Sequence, residues 1–193
     1  NPIYEGAEFW SSIEWNGTEG GLYSSLSSVA NLIKLSDHTP SVNFSIFWDG
    51  DLLSELQDHT FNNSGDNYYP VSSNITKWDY ENNQSITLFE STEALTSNGT
   101  KGNLGLVADL FGDWREEIIA RTNDESNSYI RIYSTTIATD YAVPTLMENH
   151  EYRLGVAIQN VGYNQPAHTS YLLSEGVKTA EVTVLSTTSK EVT

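Results

Sequence analysis

Apolar and polar positions along this chain alternate in short runs and rarely recur every third or fourth residue. Such runs lie near Gly21–Leu26, Val29–Leu35, Val42–Trp48, Leu52–Leu56, Asn74–Tyr80, Ser85–Phe89, Leu104–Asp109, Glu117–Arg121, Tyr129–Ser134, Tyr152–Gln159, Thr169–Leu173 and Ala180–Leu185. A period of two is the mark of a strand with one face buried, so each run is expected to be a strand. Turn clusters separate them, among them Asn62-Asn63-Ser64-Gly65-Asp66-Asn67 and Thr122-Asn123-Asp124-Glu125-Ser126-Asn127. Many short strands between Gly/Asn/Asp turns predict an all-β chain and leave sandwich, barrel and propeller open.

An internal repeat narrows the choice. Gly50-Asp51-Leu52-Leu53-Ser54-Glu55-Leu56 is matched 62 positions later (50 to 112) by Gly112-Asp113-Trp114-Arg115-Glu116-Glu117-Ile118. Both read G-D-x-x-x-E-apolar, and both follow an aromatic or apolar run, Phe44–Trp48 and Leu104–Phe111. Propeller blades repeat every ~40–50 residues and lengthen with insertions, so the spacing suits successive decorated blades. Each copy reads as a strand, a tight Gly turn with an acidic tip, and a returning strand. Asp51 and Glu55, like Asp113 and Glu117, then face each other across the turn, with Asp49 and Asp109 as further carboxylates upstream. Clustered oxygen ligands suit a hard cation such as calcium, although the spacing is not that of an EF-hand. The same acids also read as solvated turn residues or backbone caps.

Composition removes several function classes. The 193 residues carry five Trp, eleven Tyr and six Phe, enough aromatic surface for a core. Asp and Glu number 26 against nine Lys and Arg, for a formal charge of −17. Such a chain repels nucleic acid and anionic membranes. Cysteine is absent, which excludes disulfides, a thiolate nucleophile and Cys-based zinc sites. The four histidines, His38, His59, His150 and His168, form no HExxH pair. The start at Asn1, without Met, reads as processing or truncation. Sequons stand at Asn16, Asn43, Asn62, Asn74, Asn83 and Asn98; several are open to glycosylation in a secreted protein, but many arise by chance in an Asn-, Ser- and Thr-rich chain, and Asn43, inside an apolar strand pattern, reads as chance.

Three stretches together resemble the rhamnogalacturonan lyases of polysaccharide lyase family eleven. The first is Phe44–Leu56 with Ile75-Thr76-Lys77-Trp78-Asp79 following. The second is Ser97-Asn98-Gly99-Thr100-Lys101, leading into Ala108-Asp109-Leu110-Phe111-Gly112-Asp113-Trp114-Arg115-Glu116-Glu117. The third runs from Arg131-Ile132-Tyr133 through Pro144-Thr145-Leu146-Met147 to Gln159-Asn160-Val161-Gly162-Tyr163-Asn164-Gln165-Pro166. The resemblance covers about residues 3–173. It implies an eight-bladed β-propeller with calcium in its blades, and eliminative cleavage of the rhamnogalacturonan I backbone of pectin. This chain matches its C-terminal portion, which predicts three to four blades over residues 1–175 and a terminal strand or linker over 176–193. The remaining blades are then expected from upstream sequence or a second chain, with apolar surface near Phe9, Trp10 and Trp15 where a missing blade would dock. Secretion, an acidic polysaccharide partner and calcium as cofactor belong to the same expectation. The alternative is a non-catalytic, calcium-stabilised carbohydrate-binding or structural β-module of the same fold.

Elimination at galacturonate sets three tasks: neutralise the uronate carboxylate, take the C5 proton, and protonate the departing O4. Lys101 lies in the Gly-bounded turn Asn98-Gly99-Thr100-Lys101-Gly102, whose amides and hydroxyl suit a carboxylate or sugar hydroxyl. The resemblance assigns substrate binding to Asn98, Gly99, Thr100, Lys101 and Asn164, and catalysis to Lys101 and Tyr163. Read without it, the turn is an ordinary hairpin with a solvated Lys, and Tyr163 is a core or lid aromatic. The metal candidates are Asp49, Asp51 and Glu55, and Asp109, Asp113 and Glu117. His168 is a weaker acid/base candidate, and the four arginines read as ion-pair partners within the blades.

Overall fold

The computed structural model describes residues 44–60, 72–79, 81–97, 102–122, 129–161 and 165–177, with Pro40 and the backbone of 7–8, 22–24 and 33–36. Phe9, Trp10 and Trp15 lie outside the described residues. The strands form three antiparallel meanders. The first holds β1 (Ala7–Glu8), β2 (Leu22–Ser24) and β3 (Ile33–Ser36) in that order. The second holds β4 (Phe44–Ile46), β5 (Glu55–His59), β6 (Ser72–Asp79) and β7 (Gln84–Leu95), each paired with the next. The third holds β8 (Leu106–Ala108), β9 (Glu117–Arg121) and β10 (Ile130–Tyr133). One rung, Leu95 opposite Arg121, joins the second meander to the third.

The repeat seen in the sequence is a repeat in register. Phe44 faces Gln57 and Ile46 faces Glu55 in the second meander, while Leu106 faces Ile119 and Ala108 faces Glu117 in the third. Every one of these partners is displaced by the same 62 positions (44 to 106, 57 to 119). Alternation along the strands sorts side chains between two cores. Phe44, Ile46, Trp48, Ile75, Ala94, Leu104, Val107, Ile118 and Ala120 fill the first. Trp114, Val143, Leu146, Tyr152, Ala167 and Leu173 fill the second, where Phe47 joins them from the opposite side of its own strand.

Two expected strands are not strands. Tyr152–Gln159 was predicted extended because Tyr152, Leu154, Val156 and Ile158 alternate with other residues; the chain instead forms helix α1, His150–Ile158. Local capping decides the outcome. The Asn149 side chain accepts the Tyr152 N–H at 3.0 Å, and Thr145 caps the 3₁₀ turn Leu146–Glu148 just before it. The helix buries Tyr152 and leaves Leu154 and Ile158 about half exposed. Thr169–Leu173 likewise forms no strand and leads into a short helix α2, Leu173–Gly176. Leu52–Leu56 starts late, at Glu55, because Leu52 has φ +71° and belongs to the turn.

Candidate functional site: the acid-rich turns and the neck of the Lys101 loop

The turn after β4 is shaped by backbone that few residues tolerate. Gly50 has φ +98°, and a Cβ there would lie 2.7 Å from the Thr139 Cβ. Thr139 also donates its hydroxyl to the Gly50 carbonyl at 2.8 Å. Leu52 follows at φ +71°. The copy after β8 repeats the shape, with Gly112 at φ +79° and Trp114 at φ +69°. In each copy the returning glutamate reaches back to hold the entry strand. Glu55 Oε2 accepts the N–H groups of Trp48 and Asp49 at 2.8 and 3.1 Å. Glu117 Oε2 accepts those of Leu110 and Phe111 at 2.9 and 3.1 Å. The turn aspartates match as well: Asp51 Oδ1 accepts the Leu53 N–H and Asp113 Oδ1 the Arg115 N–H.

The two carboxylate triads nevertheless differ. Asp49, Asp51 and Glu55 bring one oxygen each within 4.8 Å of one another, an acidic group of the kind that can hold a metal ion. Lys77 enters this group from β6, its Nζ bonding Asp49 Oδ2, Asp51 Oδ2 at 2.6 Å and Glu55 Oε1 at 3.4 Å. Burial works to lower the Lys77 pKa, but the hydrogen bonds it donates to Asp49 and Asp51 and the charges of Glu55 and Asp51 hold it above its ordinary value. Burial first, then the Asp49 charge, push Glu55 up to about 7, against its two backbone donors and Lys77. Asp109, Asp113 and Glu117 do not gather in this way. The repeat aligns Asp49 with Phe111, so the second copy lacks a carboxylate at that place. Asp109 stands where Phe47 stands and turns inward. Its Oδ1 accepts the Gly112 N–H at 2.7 Å, and its Oδ2 accepts the Thr145 hydroxyl and the Leu146 N–H, both at 2.8 Å. Asp113 pairs with Arg115, as the sequence suggested, and Glu117 Oε1 accepts the Ser134 hydroxyl at 3.2 Å.

The oxygens of the first group suit calcium in kind, but few of them are free of backbone bonds. Asp49 Oδ1 accepts the Asp51 N–H, Asp51 Oδ1 that of Leu53, and Glu55 Oε2 two more. Three single oxygens remain, so the rest of the ~6–8 that calcium takes would have to be water or backbone carbonyls, and Lys77 sits on all three.

Asn98, Gly99, Thr100 and Lys101, together with Tyr163 and Asn164, lie outside the described residues. The flanks of the Lys101 loop are described. Its neck is closed by Ser97 N–H donating to the Asn103 carbonyl at 2.5 Å. The buried Gln57 amide donates to the Gly102 carbonyl at 3.3 Å. Gly102 has φ +66°, and a Cβ there would stand 2.2 Å from Nδ1 of His59, a ring held by Asp58 at 2.6 Å. His168 is exposed.

Sequence reasoning passed over Glu116 and Tyr152. Glu116 is wholly buried between the meanders and α1: Tyr152 donates its hydroxyl to Oε1 at 2.5 Å and Phe47 its N–H to Oε2 at 2.8 Å. The Tyr152 oxygen in turn accepts the Asp109 N–H at 2.9 Å. Burial pushes Glu116 from 4.5 up to about 7, against those two hydrogen bonds, with the charges of Asp109 and Glu117 adding to the rise. A raised carboxyl pKa means that the folded state keeps a proton the unfolded state releases. Its stabilisation is full below about 4.5 and is lost as pH rises through about 7. Glu55 acts in the same direction. Unfolding midpoints measured across this window are expected to fall with rising pH, and less steeply in Glu116→Gln. An unchanged slope in that variant would place the proton elsewhere.

Comparison with known proteins supplies a family. The model of the C-terminal domain of rhamnogalacturonan lyase family 11 matches residues 1–183. Rhamnogalacturonan exolyase YesX of Bacillus subtilis (strain 168) is 46% identical over 179 residues, 92% of this chain and 28% of its own length. Rhamnogalacturonan endolyase YesW of the same organism is 43% identical over 178 residues, 92% of this chain and 24% of its own length. The crystal structure of exotype YesX superposes with a TM-score of 0.67 at 44% identity, covering 87% of this chain and 26% of that one. The Bacillus licheniformis rhamnogalacturonan lyase PL11 gives 0.69 at 42% identity, covering 93% and 26%. The chain thus spans about a quarter of the length of the curated relatives it matches. With nearly all of its length matched by that model, the chain belongs to the C-terminal domain family of the rhamnogalacturonan lyases of family 11.

Proposed function

We propose that this chain is the C-terminal part of a secreted rhamnogalacturonan lyase that cleaves the rhamnogalacturonan I backbone by β-elimination at galacturonate. The observation that carries the reading is identity of 46% and 43% to two named lyases over 92% of the chain. In this reading the meanders are propeller blades, supported by the 62-position register that the second and third share, and further blades come from the rest of the protein or from a second chain. Loops of successive blades would then converge on one face, bringing the Asn98–Lys101 turn toward Tyr163 and Asn164. Asn98, Gly99 and Thr100 hold the uronate carboxylate or its neighbouring hydroxyls, and Lys101 takes the C5 proton. Tyr163 stands as acid or sugar platform, with Asn164 binding alongside. Calcium is the cofactor of the intact lyase in this reading; where bound near the uronate it offsets the charge of a polyanion approaching a chain of −17.

The test is an assay of the intact protein on rhamnogalacturonan, with and without chelator, followed by ultraviolet absorbance of the unsaturated uronate that elimination creates. New chain ends carrying that chromophore are expected. Binding of the polysaccharide without any rise in absorbance would replace the enzyme with a carbohydrate-binding module of the same fold.

A further inference from the structure

The first acid-rich turn is closed by a cation that the chain itself supplies. Lys77 stands on β6, 26 positions beyond Asp51, and its ammonium reaches one oxygen of each acid in the group. An ammonium has three donors and no acceptor, so three oxygens from three carboxylates match it one to one. The other oxygens of these acids already hold the backbone of the turn. The second copy is closed on the same plan with different side chains. Arg115 bonds Asp113 and the Ile137 carbonyl, and the Ser134 hydroxyl meets Glu117 at the oxygen equivalent to the one Lys77 meets on Glu55. Phe111 occupies the place of Asp49, so the second copy has no carboxylate at that position. Two turns of the same backbone shape thus each carry a cation of the chain's own, Lys77 on Asp51 and Arg115 on Asp113.

We infer that Lys77 is the resident cation of the first turn, standing where a divalent ion would otherwise sit, and that both G-D-x-x-x-E turns of this chain are built without metal. A divalent ion would have to expel a half-buried ammonium from three hydrogen bonds to gain three oxygens. Any calcium in the intact protein therefore binds at other residues.

Ion counting on the intact protein tests this, with terbium as the probe and luminescence sensitised by tryptophan as the readout. In the parent, Asp51→Asn is expected to leave the number of ions bound per chain unchanged. Lys77→Met is expected to bind one ion more than the parent, and Lys77→Met with Asp51→Asn to lose it again. A parent that loses an ion on Asp51→Asn overturns the inference, because the ion then shares the turn with Lys77. A folded Lys77→Met protein that binds no additional ion overturns it too, since the ammonium would not be holding a metal's place. Should Lys77→Met fail to fold, the parent and Asp51→Asn decide alone: an equal count supports the inference and a lower one ends it.

Discussion

Lys101→Ala in the intact protein is expected to lower turnover on rhamnogalacturonan by about 10²–10⁴-fold, the range typical of losing a general acid or base. The unfolding midpoint should barely move. The C5 proton is only weakly acidic, so its removal needs a base placed within hydrogen-bond reach, and Lys101 is the basic residue among those that the family resemblance gives to substrate. The stability half of the expectation comes from the flanks of that turn. Ser97 to Asn103 closes the neck, Gln57 holds the Gly102 carbonyl, and the His59 ring fills the space beside Gly102. None of these bonds uses the Lys101 side chain. Wild-type turnover in the variant would remove Lys101 from the chemistry, while a large drop in midpoint would make its role structural.

The second large effect concerns Trp114, which is 2% exposed although its backbone sits at φ +69°. Its indole packs among Val143, Leu146, Tyr152, Ala167 and Leu173, meets the Phe47 ring edge-on at 6.5 Å, and donates to the Tyr141 carbonyl. Trp114→Ala is expected to cost about 3–5 kcal/mol by denaturant unfolding, as truncation of large buried aromatics does. Trp114→Gly should be no less stable than the alanine variant and roughly 1 kcal/mol better, because only glycine adopts positive φ without strain. A cost below about 1 kcal/mol for alanine would mean that the indole does not tie the turn to the helical layer. Alanine outlasting glycine would contradict the left-handed backbone at this position.

The strands of the two later meanders were legible because alternation and the repeat agree. Phe44–Trp48 and Leu104–Phe111 predict the same strand twice, and the ladder partners confirm the shared frame. Helix α1 was not legible, because Tyr152, Leu154, Val156 and Ile158 follow the strand period without a fault. What decides it is a single local bond, Asn149 to the Tyr152 N–H, together with the burial of one tyrosine against Glu116 and Asp109. At the candidate site, the acids of the turns could be read because they are neighbours in sequence. Lys77 could not, since only the pairing of β5 with β6 brings it to Asp51. Glu116 was hidden by Glu117: adjacent residues leave a strand on opposite faces, so one holds its own turn and the other crosses to the helix.

The lone rung between Leu95 and Arg121 also bears on how such a chain can change over generations. Each meander completes its own ladder, so residues gained in the segment between β7 and β8 lengthen a connection and leave the strand ladders in register, whatever they do to the Ser97–Asn103 neck. A single residue gained within β9 would instead turn every following side chain of that strand to the wrong face. The heritable unit is therefore the strand, turn and returning strand taken whole, 62 positions from one copy to the next. Between the two units the cation differs. One copy draws it from a neighbouring strand as Lys77, the other from inside its own turn as Arg115, and the glutamate that grips the entry strand is kept in both.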